Sequence, residues 1–171
     1  MSAPRLQVAA ERPEVEAAAD APQPGSFRIV SRIVDWITND RTQLLNITER
    51  VNEIVRRSGV TNGIVHLQSL HTTTAITVNE GLEDLEDDLL ELLARLVPSD
   101  APHRHARFLH ADGQMAVNAP SHLCGALLGM HTSFPVHAGR MVAGTRQTVY
   151  FVELDGPLFR EYTVQVLGDP A

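Results

Sequence analysis

The sequence predicts an α+β domain built largely of antiparallel β-sheets, layered like a sandwich, with two main helices packed against them. Segments rich in β-branched and aromatic residues outnumber helical segments, and short turns separate consecutive strands, which favours hairpin connections. Clear helical spacing is confined to two longer segments, residues 82–96 and 118–129. With 171 residues, the chain is long enough for one domain with a proper core.

The domain is expected to span residues 26–171, after a tail that covers residues 1–25. Alanine, glutamate and proline dominate this tail, and Pro13, Pro22 and Pro24 interrupt any helix within it. We therefore expect the tail to be disordered or only loosely docked on the domain.

Strands are expected throughout the domain. The first segment, residues 27–37, precedes a turn and a short return strand at residues 43–47. Asp155-Gly156-Pro157 is typical of a turn and predicts that the last two strands form a hairpin. The remaining strands are expected at residues 64–70, 75–78, 132–136, 140–143, 147–155 and 158–167.

Helix signals mark three segments, of which residues 48–58 form the shortest. The segment 82–96 carries leucines at helical spacing and acidic residues near its start, where the helix dipole favours negative charge. Asn118 can cap the third helix, and Gly129 suits its end. The leucines expected to form one apolar stripe are Leu82, Leu85, Leu89, Leu92, Leu93 and Leu96.

Composition excludes several functions. The net charge of −7 argues against nucleic acid as a partner, and all fourteen basic residues are arginine, which excludes a lysine Schiff base. No apolar run is long enough to span a bilayer, and the N-terminus lacks the pattern of a secretory signal. The single cysteine, Cys124, fits a reducing compartment, so we expect a cytoplasmic protein.

A polar cluster at the end of a β-like run is the first candidate site. In a regular strand, His71, Thr73 and Asn79 lie on one face, with Thr72 and Glu80 beside them. Strand ends that lead into a helix present side chains to an open edge, which suits catalysis or binding. The alternative is a solvated sheet edge in which Asn79 and Glu80 only cap the following helix.

Histidines form the second candidate site. His105 and His122 are able to join His71 as ligands of a divalent metal, Zn²⁺ or Mg²⁺, because imidazole is the commonest protein ligand. His122 falls in the first turn of its helix, where free amides favour anions. The alternative is that each histidine is a hydrogen-bonded structural residue, since no pair lies on a clear helix or strand face.

Arginines and turns near the end of the chain form a third group. Arg140 and Arg146 are candidates to bind a phosphate or carboxylate, although a plain surface role is favoured for Arg146. The turn 144–147 contributes Thr145 and Gln147. No nucleophile elbow, dinucleotide-binding motif or phosphate-binding loop occurs, so no organic cofactor is evident.

These residues, in this order, resemble the YjbQ family, whose members are often described as secondary thiamine-phosphate synthase enzymes. The likeness runs from about Phe27 to Gly168. Its pieces are His71-Thr-Thr-Thr-Ala-Ile-Thr-Val-Asn-Glu80, Asp88, Leu96-Val-Pro98, His105, Asn118-Ala-Pro-Ser-His122, Leu127-Leu-Gly129, Pro135-Val-His-Ala-Gly-Arg140, Gly144-Thr-Arg-Gln147 and Glu153.

The resemblance implies an enzyme, a homotrimer and a pocket in which these polar residues converge. The implied reaction joins a hydroxymethylpyrimidine diphosphate to a thiazole phosphate and releases pyrophosphate. The implied catalytic residues are His71, His105, His122, Asp88 and Glu80, with Asp88 or Glu80 orienting a histidine or carrying a metal. The implied substrate-binding residues are Thr72, Thr73, Asn79, Asn118, Ser121, Arg140, Thr145 and Gln147.

Four positions depart from the family pattern. Arg146 and Thr148 stand where many relatives have tryptophan and glycine, Cys124 replaces a basic residue, and Pro120 replaces a frequent aspartate. These changes alter the charge or lining of the implied pocket, so a specialised member with another substrate remains an alternative. Two others are a non-catalytic ligand- or metal-binding protein and a metal-assisted hydrolase.

Overall fold

The computed structural model describes residues 27–105, 108–109, 114–115 and 117–170. The predicted tail lies outside the described residues. None of the described helices is long and apolar enough to cross a membrane. In chain order, the elements are β1 (Arg28–Ile37), β2 (Gln43–Asn46), α1 (Thr48–Ser58), β3 (Val60–Ser69), β4 (Thr74–Glu80), α2 (Glu83–Leu96), β5 (Phe108–Leu109), β6 (Gln114–Met115), α3 (Ala119–Leu128), β7 (His131–His137), β8 (Arg140–Met141), β9 (Gln147–Glu153) and β10 (Phe159–Pro170).

The described strands form two main antiparallel sheets and one short pair. The larger sheet has the order β1-β10-β3-β7-β8, and the smaller sheet has the order β2-β9-β4. Strands β5 and β6 pair only with each other. The predicted class, an α+β fold with largely antiparallel sheets and helices packed on them, is confirmed.

The main hydrophobic core lies between the two larger sheets. Alternate residues of β10, such as Tyr162 and Val164, are fully buried there, while their neighbours Thr163 and Gln165 are half-buried on the other face. Helix α1 closes this core with Val51, Ile54 and Val55. Its end is set by Gly59, whose φ of 71° is left-handed.

A second apolar layer covers the other face of the smaller sheet. Adjacent residues of β4 point to opposite sides, so that Ile76 joins the main core and Ala75 joins the second cluster. Leu93 of α2 and Cys124 of α3 belong to that second cluster. The molecule is therefore a sandwich of two sheets with a helical layer on one side.

Two expected strand pairings are wrong. The predicted hairpin of the last two strands does not form, because β9 belongs to the smaller sheet and β10 to the larger one. The turn at Asp155-Gly156-Pro157 carries the chain from one sheet to the other. The predicted return strand, β2, likewise pairs with β9 and not with β1. Turn residues show where a chain reverses, but the choice of partner strand depends on tertiary packing.

β3 and β4 are two separate strands, as predicted. The irregular segment that joins them determines where His71 lies. Residues 70–73 form a turn, so His71 does not continue the face of β4 as a regular strand would require. No strand was predicted between residues 99 and 117, but this part of the chain contains the short β5–β6 pair.

Helix α2 forms as predicted, but its apolar stripe is largely exposed. Among the leucines of that stripe, Leu93 is buried, whereas Leu82, Leu92 and Leu96 are 51%, 43% and 60% exposed. Periodicity identifies an apolar face but does not show what covers it. This face is therefore an open apolar surface in a single chain.

Candidate functional site

Two histidines that are distant in sequence meet beside helix α3. The rings of His105 and His122 lie edge to face with their centroids 5.1 Å apart. They line a cavity of about 280 Å³. We call it the histidine pocket, and its lining residues are His103, Arg104, His105, Ala119, His122 and Leu123.

Helix α3 places His122 at the pocket through its anchored first turn. The Ser121 hydroxyl donates to the Leu154 carbonyl oxygen at 2.6 Å, and Asn118 Nδ2 donates to Asp155 Oδ2 at 2.6 Å. Both bonds fix the start of α3 on the end of β9. Asn118 occupies the N-cap position, as predicted, but its side chain makes no capping hydrogen bond and contacts Asp155 instead.

The segment before β5 supplies the other wall of the pocket. His103 is held by a 2.9 Å hydrogen bond between its Nε2 and the Pro98 carbonyl oxygen. Its neighbour Arg104 is exposed and also lines the pocket. Three imidazoles and a guanidinium therefore line one cavity at the N-terminus of a helix, an arrangement that suits an anionic ligand.

His71 lies in the turn between β3 and β4, and its ring is engaged with β10. Its Nε2 accepts a 2.9 Å hydrogen bond from the Glu161 backbone amide, so Nδ1 carries the proton of the neutral ring. Burial, followed by the charge of Arg160, lowers the pKa of His71. This turn lies against α3, since a methyl group at Gly125 would come within 3.2 Å of the Thr72 carbonyl oxygen.

A buried salt-bridge network lies beside His71. Arg160 donates from Nε and Nη2 to the two carboxylate oxygens of Glu153, at 2.6 and 2.7 Å. Nη2 also donates to Thr73 Oγ1 at 3.0 Å, and the Thr38 hydroxyl donates to Glu153 Oε2 at 2.9 Å. Glu153 is 0% exposed. This network ties both sheets to the turn that carries His71.

The pKa of Glu153 shows that the hydrogen-bond donors around its carboxylate compensate for its burial. Burial alone raises the pKa of this carboxyl group, but Arg160 and the amide and hydroxyl donors outweigh burial and hold the pKa below its usual range. Sequence reasoning placed Glu153 among the motif residues but missed Arg160 and Thr38. Arg160 has the same parity along β10 as the apolar residues Tyr162 and Val164. This alternation of side chains is the sequence signal that could have identified Arg160 as inward-facing.

Other predicted site residues lie at the far end of the smaller sheet. Glu80 pairs in register with Gln147, at the opposite end of β4 from Thr74. Six residue steps along a strand amount to about 20 Å. Within one chain, Asn79, Glu80 and Gln147 therefore lie about that far from the network around Glu153.

Local contacts occupy several side chains at this far end. Glu80 forms a salt bridge with the exposed Arg146, which has the surface position predicted for it. Gln147 Oε1 accepts a 2.7 Å hydrogen bond from the Gly144 amide within its own turn. Thr145 is exposed in that turn, and Arg140 is exposed on β8, an edge strand.

The remaining predicted residues are exposed. Thr72 lies at the surface of the turn beside His71, and Asp88 lies on the solvent side of α2. Asp88 was expected to turn inward and orient a histidine, and its exposed position differs from that expectation. The acidic residues of α2 mainly form a solvated face.

A second cavity of about 410 Å³ separates α2 from α3. Cys124 lines it, and burial raises the pKa of the Cys124 thiol, so the reactive thiolate is disfavoured at neutral pH. Cys124 is therefore a small buried residue with a free thiol.

Comparison with known proteins identifies the family. Residues 33–169 match the family model described as UPF0047 protein YjbQ-like. The chain belongs to this family. A UPF0047 protein from Methanothermobacter thermautotrophicus is 39% identical over 133 residues, which cover 78% of this chain and 88% of the relative. The UPF0047 protein YugU from Bacillus subtilis is 30% identical over 132 residues, with 77% and 94% coverage.

Solved structures agree with this assignment. A crystal structure described as a YbjQ-like protein of unknown function from Sulfolobus solfataricus superposes with a TM-score of 0.77 and 33% identity, covering 84% of this chain and 99% of that one. A hypothetical protein from Aeropyrum pernix gives a TM-score of 0.71 at 30% identity, covering 81% and 98%. The resemblance of the sequence motifs to the YjbQ family is thereby confirmed, and the family's fold is that of this chain.

The lowered pKa of His71 predicts a pH dependence of stability. Below about pH 6.5, the ordinary histidine value, the unfolded chain takes up a proton that folded His71 resists. The free energy of unfolding should therefore fall as the pH drops from about 7.5 to about 5.5. His71→Gln keeps an acceptor for the Glu161 amide and removes this titration. The variant should therefore lose less unfolding free energy than wild type over the same pH range. Urea titrations at both pH values measure the difference, and exposed His137→Gln is the control. Equal losses in wild type and His71→Gln would disprove the assignment.

Proposed function

We propose that this protein is a cytoplasmic small-molecule enzyme that acts on a phosphorylated or otherwise anionic substrate in the histidine pocket. The observation that carries the proposal is the His105–His122 pair, with ring centroids 5.1 Å apart, at the N-terminus of α3. Imidazoles exchange protons near neutral pH, and the adjoining Arg104 supplies a cation for an oxyanion.

The reaction implied for the family suits such a pocket. Joining a hydroxymethylpyrimidine diphosphate to a thiazole phosphate releases pyrophosphate, and catalysis of this kind depends mainly on positioning and on stabilising negative charge. Arg104 and the positive end of the α3 dipole would stabilise the phosphate oxygens. His122 would hold or accept a proton at the reacting group, and His105 would support it from across the pocket.

A divalent metal fits this pair in part. His105 and His122 offer imidazole nitrogens, which are common Zn²⁺ ligands, and their ring centroids lie 5.1 Å apart. Among the described residues, however, no group of three histidine, cysteine or acidic side chains is arranged to hold a metal. His105 and His122 would hold it, and a bound metal would neutralise phosphate charge. His71 is not free to join them, because its Nε2 accepts the Glu161 amide and its Nδ1 then carries the ring proton.

The proposal is tested by turnover. The wild-type protein is incubated with the two thiamine precursors and, separately, with a panel of phosphate and diphosphate monoesters, and release of pyrophosphate or phosphate is measured. Each assay is repeated after chelation, and metal content is determined by elemental analysis. Turnover that chelation leaves intact favours metal-free chemistry. Saturable binding without turnover of any compound would instead support a non-catalytic ligand-binding protein.

We also propose that the chain assembles into a homo-oligomer, with the trimer as the expected form, through the helical layer. Leu92 and Leu96 of α2 share one face, as do Leu123 and Leu127 of α3, and these leucines are 43%, 60%, 46% and 60% exposed. Leu123 also lines the histidine pocket. A second chain on this surface would therefore cover the pocket mouth.

Substitution of a leucine on this surface tests the assembly. Leu96→Glu should dissociate the oligomer while leaving the fold intact, because the side chain is exposed in one chain. Light scattering after size-exclusion chromatography measures the molar mass. It should be three times the 18.7 kDa of one chain for wild type and that of a single chain for the variant. Leu158→Glu, at an exposed turn outside this layer, is the control. A monomeric wild type would contradict the proposal.

A further inference from the structure

Two further histidines meet on adjacent strands of the larger sheet. His66 belongs to β3 and His131 to β7, and these strands are neighbours in the sheet. In the register of the two strands, His66 pairs with Ser133 and Gln68 pairs with His131, so the two histidines are diagonal neighbours. Their ring centroids lie 5.7 Å apart, with an angle of 40° between the ring planes. We call these two residues the sheet histidine pair.

Both rings lie on the solvent side of the sheet. Val65 and Leu67, the neighbours of His66 along β3, are fully buried, so His66 projects from the opposite face. His66 is half-buried and His131 is exposed. The histidine pocket, by contrast, is lined by residues of α3 and of the segment before β5, and neither member of the sheet pair lines it. The sheet histidine pair is therefore open to solvent and separate from the histidine pocket.

A hydrogen bond orients one ring of the pair. His66 Nδ1 lies 2.9 Å from the hydroxyl oxygen of Ser133. In the tautomer with the proton on Nδ1, His66 donates to this hydroxyl, and the lone pair of Nε2 is left for a metal ion. Histidines that bind metals commonly have their other ring nitrogen hydrogen-bonded in this way, because the bond fixes both the tautomer and the orientation of the ring. Ser133 therefore holds His66 as a metal ligand would be held.

The charge of the surroundings also suits a cation. The residues that pair with the two histidines across the sheet are uncharged, since Ser133 and Gln165 flank His66 and Gln68 lies opposite His131. The whole chain has a net charge of −7. A divalent cation bound to the two rings would therefore meet no positive charge on these paired residues, in a protein whose overall charge attracts cations.

We propose that the sheet histidine pair binds one transition-metal dication, of the type of Cu²⁺, Ni²⁺ or Zn²⁺, through one nitrogen of each ring. Imidazole nitrogen is a preferred ligand of these metals, whereas Mg²⁺ and Ca²⁺ prefer oxygen ligands. No group of three histidine, cysteine or acidic side chains that could hold a metal occurs in the described part of the chain, so water completes the coordination. Two regular strands hold the rings, which limits the ordering that binding requires. Affinity should be highest for Cu²⁺.

Calorimetric titration of the full chain, prepared without a polyhistidine tag, with Ni²⁺ tests this site. His66→Gln and His131→Gln should each weaken Ni²⁺ binding by about a hundredfold, because each removes one of two ligands and the loss of an outer contact alone costs about 10–100-fold. His137→Gln is the matched control. His137 is also exposed on β7, and its Nδ1 lies 3.0 Å from Asn62 Oδ1, but β3 contains no histidine other than His66. This variant should bind Ni²⁺ like wild type.

Two further measurements locate the metal. His122→Ala removes a ligand of any metal in the histidine pocket, so Ni²⁺ binding that persists in this variant belongs elsewhere. Spectra of ¹⁵N-labelled histidine, recorded while Cu²⁺ is added in less than equimolar amount, show which rings approach the paramagnetic ion. The signals of His66 and His131 should broaden before that of His137.

Ser133→Ala separates a built site from a chance pair of surface histidines. Its loss of the hydroxyl should weaken Ni²⁺ binding about tenfold while the melting temperature without metal stays unchanged, because Ser133 is exposed. The proposal is overturned if His66→Gln or His131→Gln binds Ni²⁺ like wild type, if His137→Gln weakens binding as much as they do, or if His122→Ala abolishes it.

Discussion

Replacing Arg160 with methionine is expected to lower the free energy of unfolding by about 3–5 kcal/mol, because the change leaves the Glu153 carboxylate buried without its cation. Both residues are almost completely inaccessible to solvent, with 5% and 0% of their surfaces exposed. Methionine keeps the length and much of the volume of the side chain, so loss of charge and hydrogen bonds dominates. Urea unfolding, followed through the fluorescence of the single tryptophan, buried Trp36, measures the loss.

The matched control for this prediction is Arg140→Met, which removes an exposed arginine from the edge strand β8. Its effect should stay within about 0.5 kcal/mol, as for surface substitutions in general. A loss below about 1 kcal/mol in Arg160→Met would show that the salt bridge contributes far less than burial implies.

The Arg160–Glu153 pair also makes the free energy of unfolding depend on pH, and the pKa of Glu153 gives the direction of the change. In wild type, the pKa of Glu153 is lowered, so its stabilising effect is complete above the ordinary glutamate value of about 4.3 and is lost as the pH falls through the lower folded pKa. In Arg160→Met, burial without the arginine raises that pKa instead. The stability difference between the two proteins should therefore narrow as the pH falls from about 7 to about 4.

Substitution of His122 by alanine is expected to lower turnover by about two to four orders of magnitude, the usual contribution of a residue that transfers a proton. The effect should appear mainly in kcat, because His122 is assigned to the reacting group and Arg104 to binding. Measurements use the substrate that shows the highest activity in the phosphate-release assays. His137→Ala, an exposed histidine on β7, should retain wild-type kinetics.

Coupling between the two histidines sharpens this test. If His105 and His122 act as a unit, the double alanine variant should be little worse than the worse single variant, because residues that work together are not additive. Additive losses would indicate that the 5.1 Å contact of their rings has no role in the chemistry.

Local patterns predicted most of the elements but not their assembly. Helix α2 and the strand segments followed from periodicity, and α1 covers residues 48–58 as predicted. The pairing of β9 and β10 with different sheets did not follow, because turn residues specify a reversal and not a partner. The exposed leucines of α2 are a similar case, since the pattern predicts an apolar face without saying what covers it.

Individual site residues were easier to predict than their grouping. His105 and His122 were candidates by residue type, but only the structure shows that their rings meet. His71 was expected on the face of β4, and the turn at residues 70–73 displaces it toward β10. Arg160 was missed, because a charged residue in a strand is normally taken for a surface residue unless its buried partner is known.

Nuclear magnetic resonance of histidine ring nitrogens tests the histidine pocket most directly. The protein is labelled with ¹⁵N-histidine, His105, His122 and His137 are assigned from glutamine variants, and pyrophosphate is added with and without Mg²⁺. We predict saturable shifts at His105 and His122 and none at His137. Shifts confined to other histidines, or their absence at saturating pyrophosphate, would contradict the assignment of this pocket as the site that binds an anionic substrate.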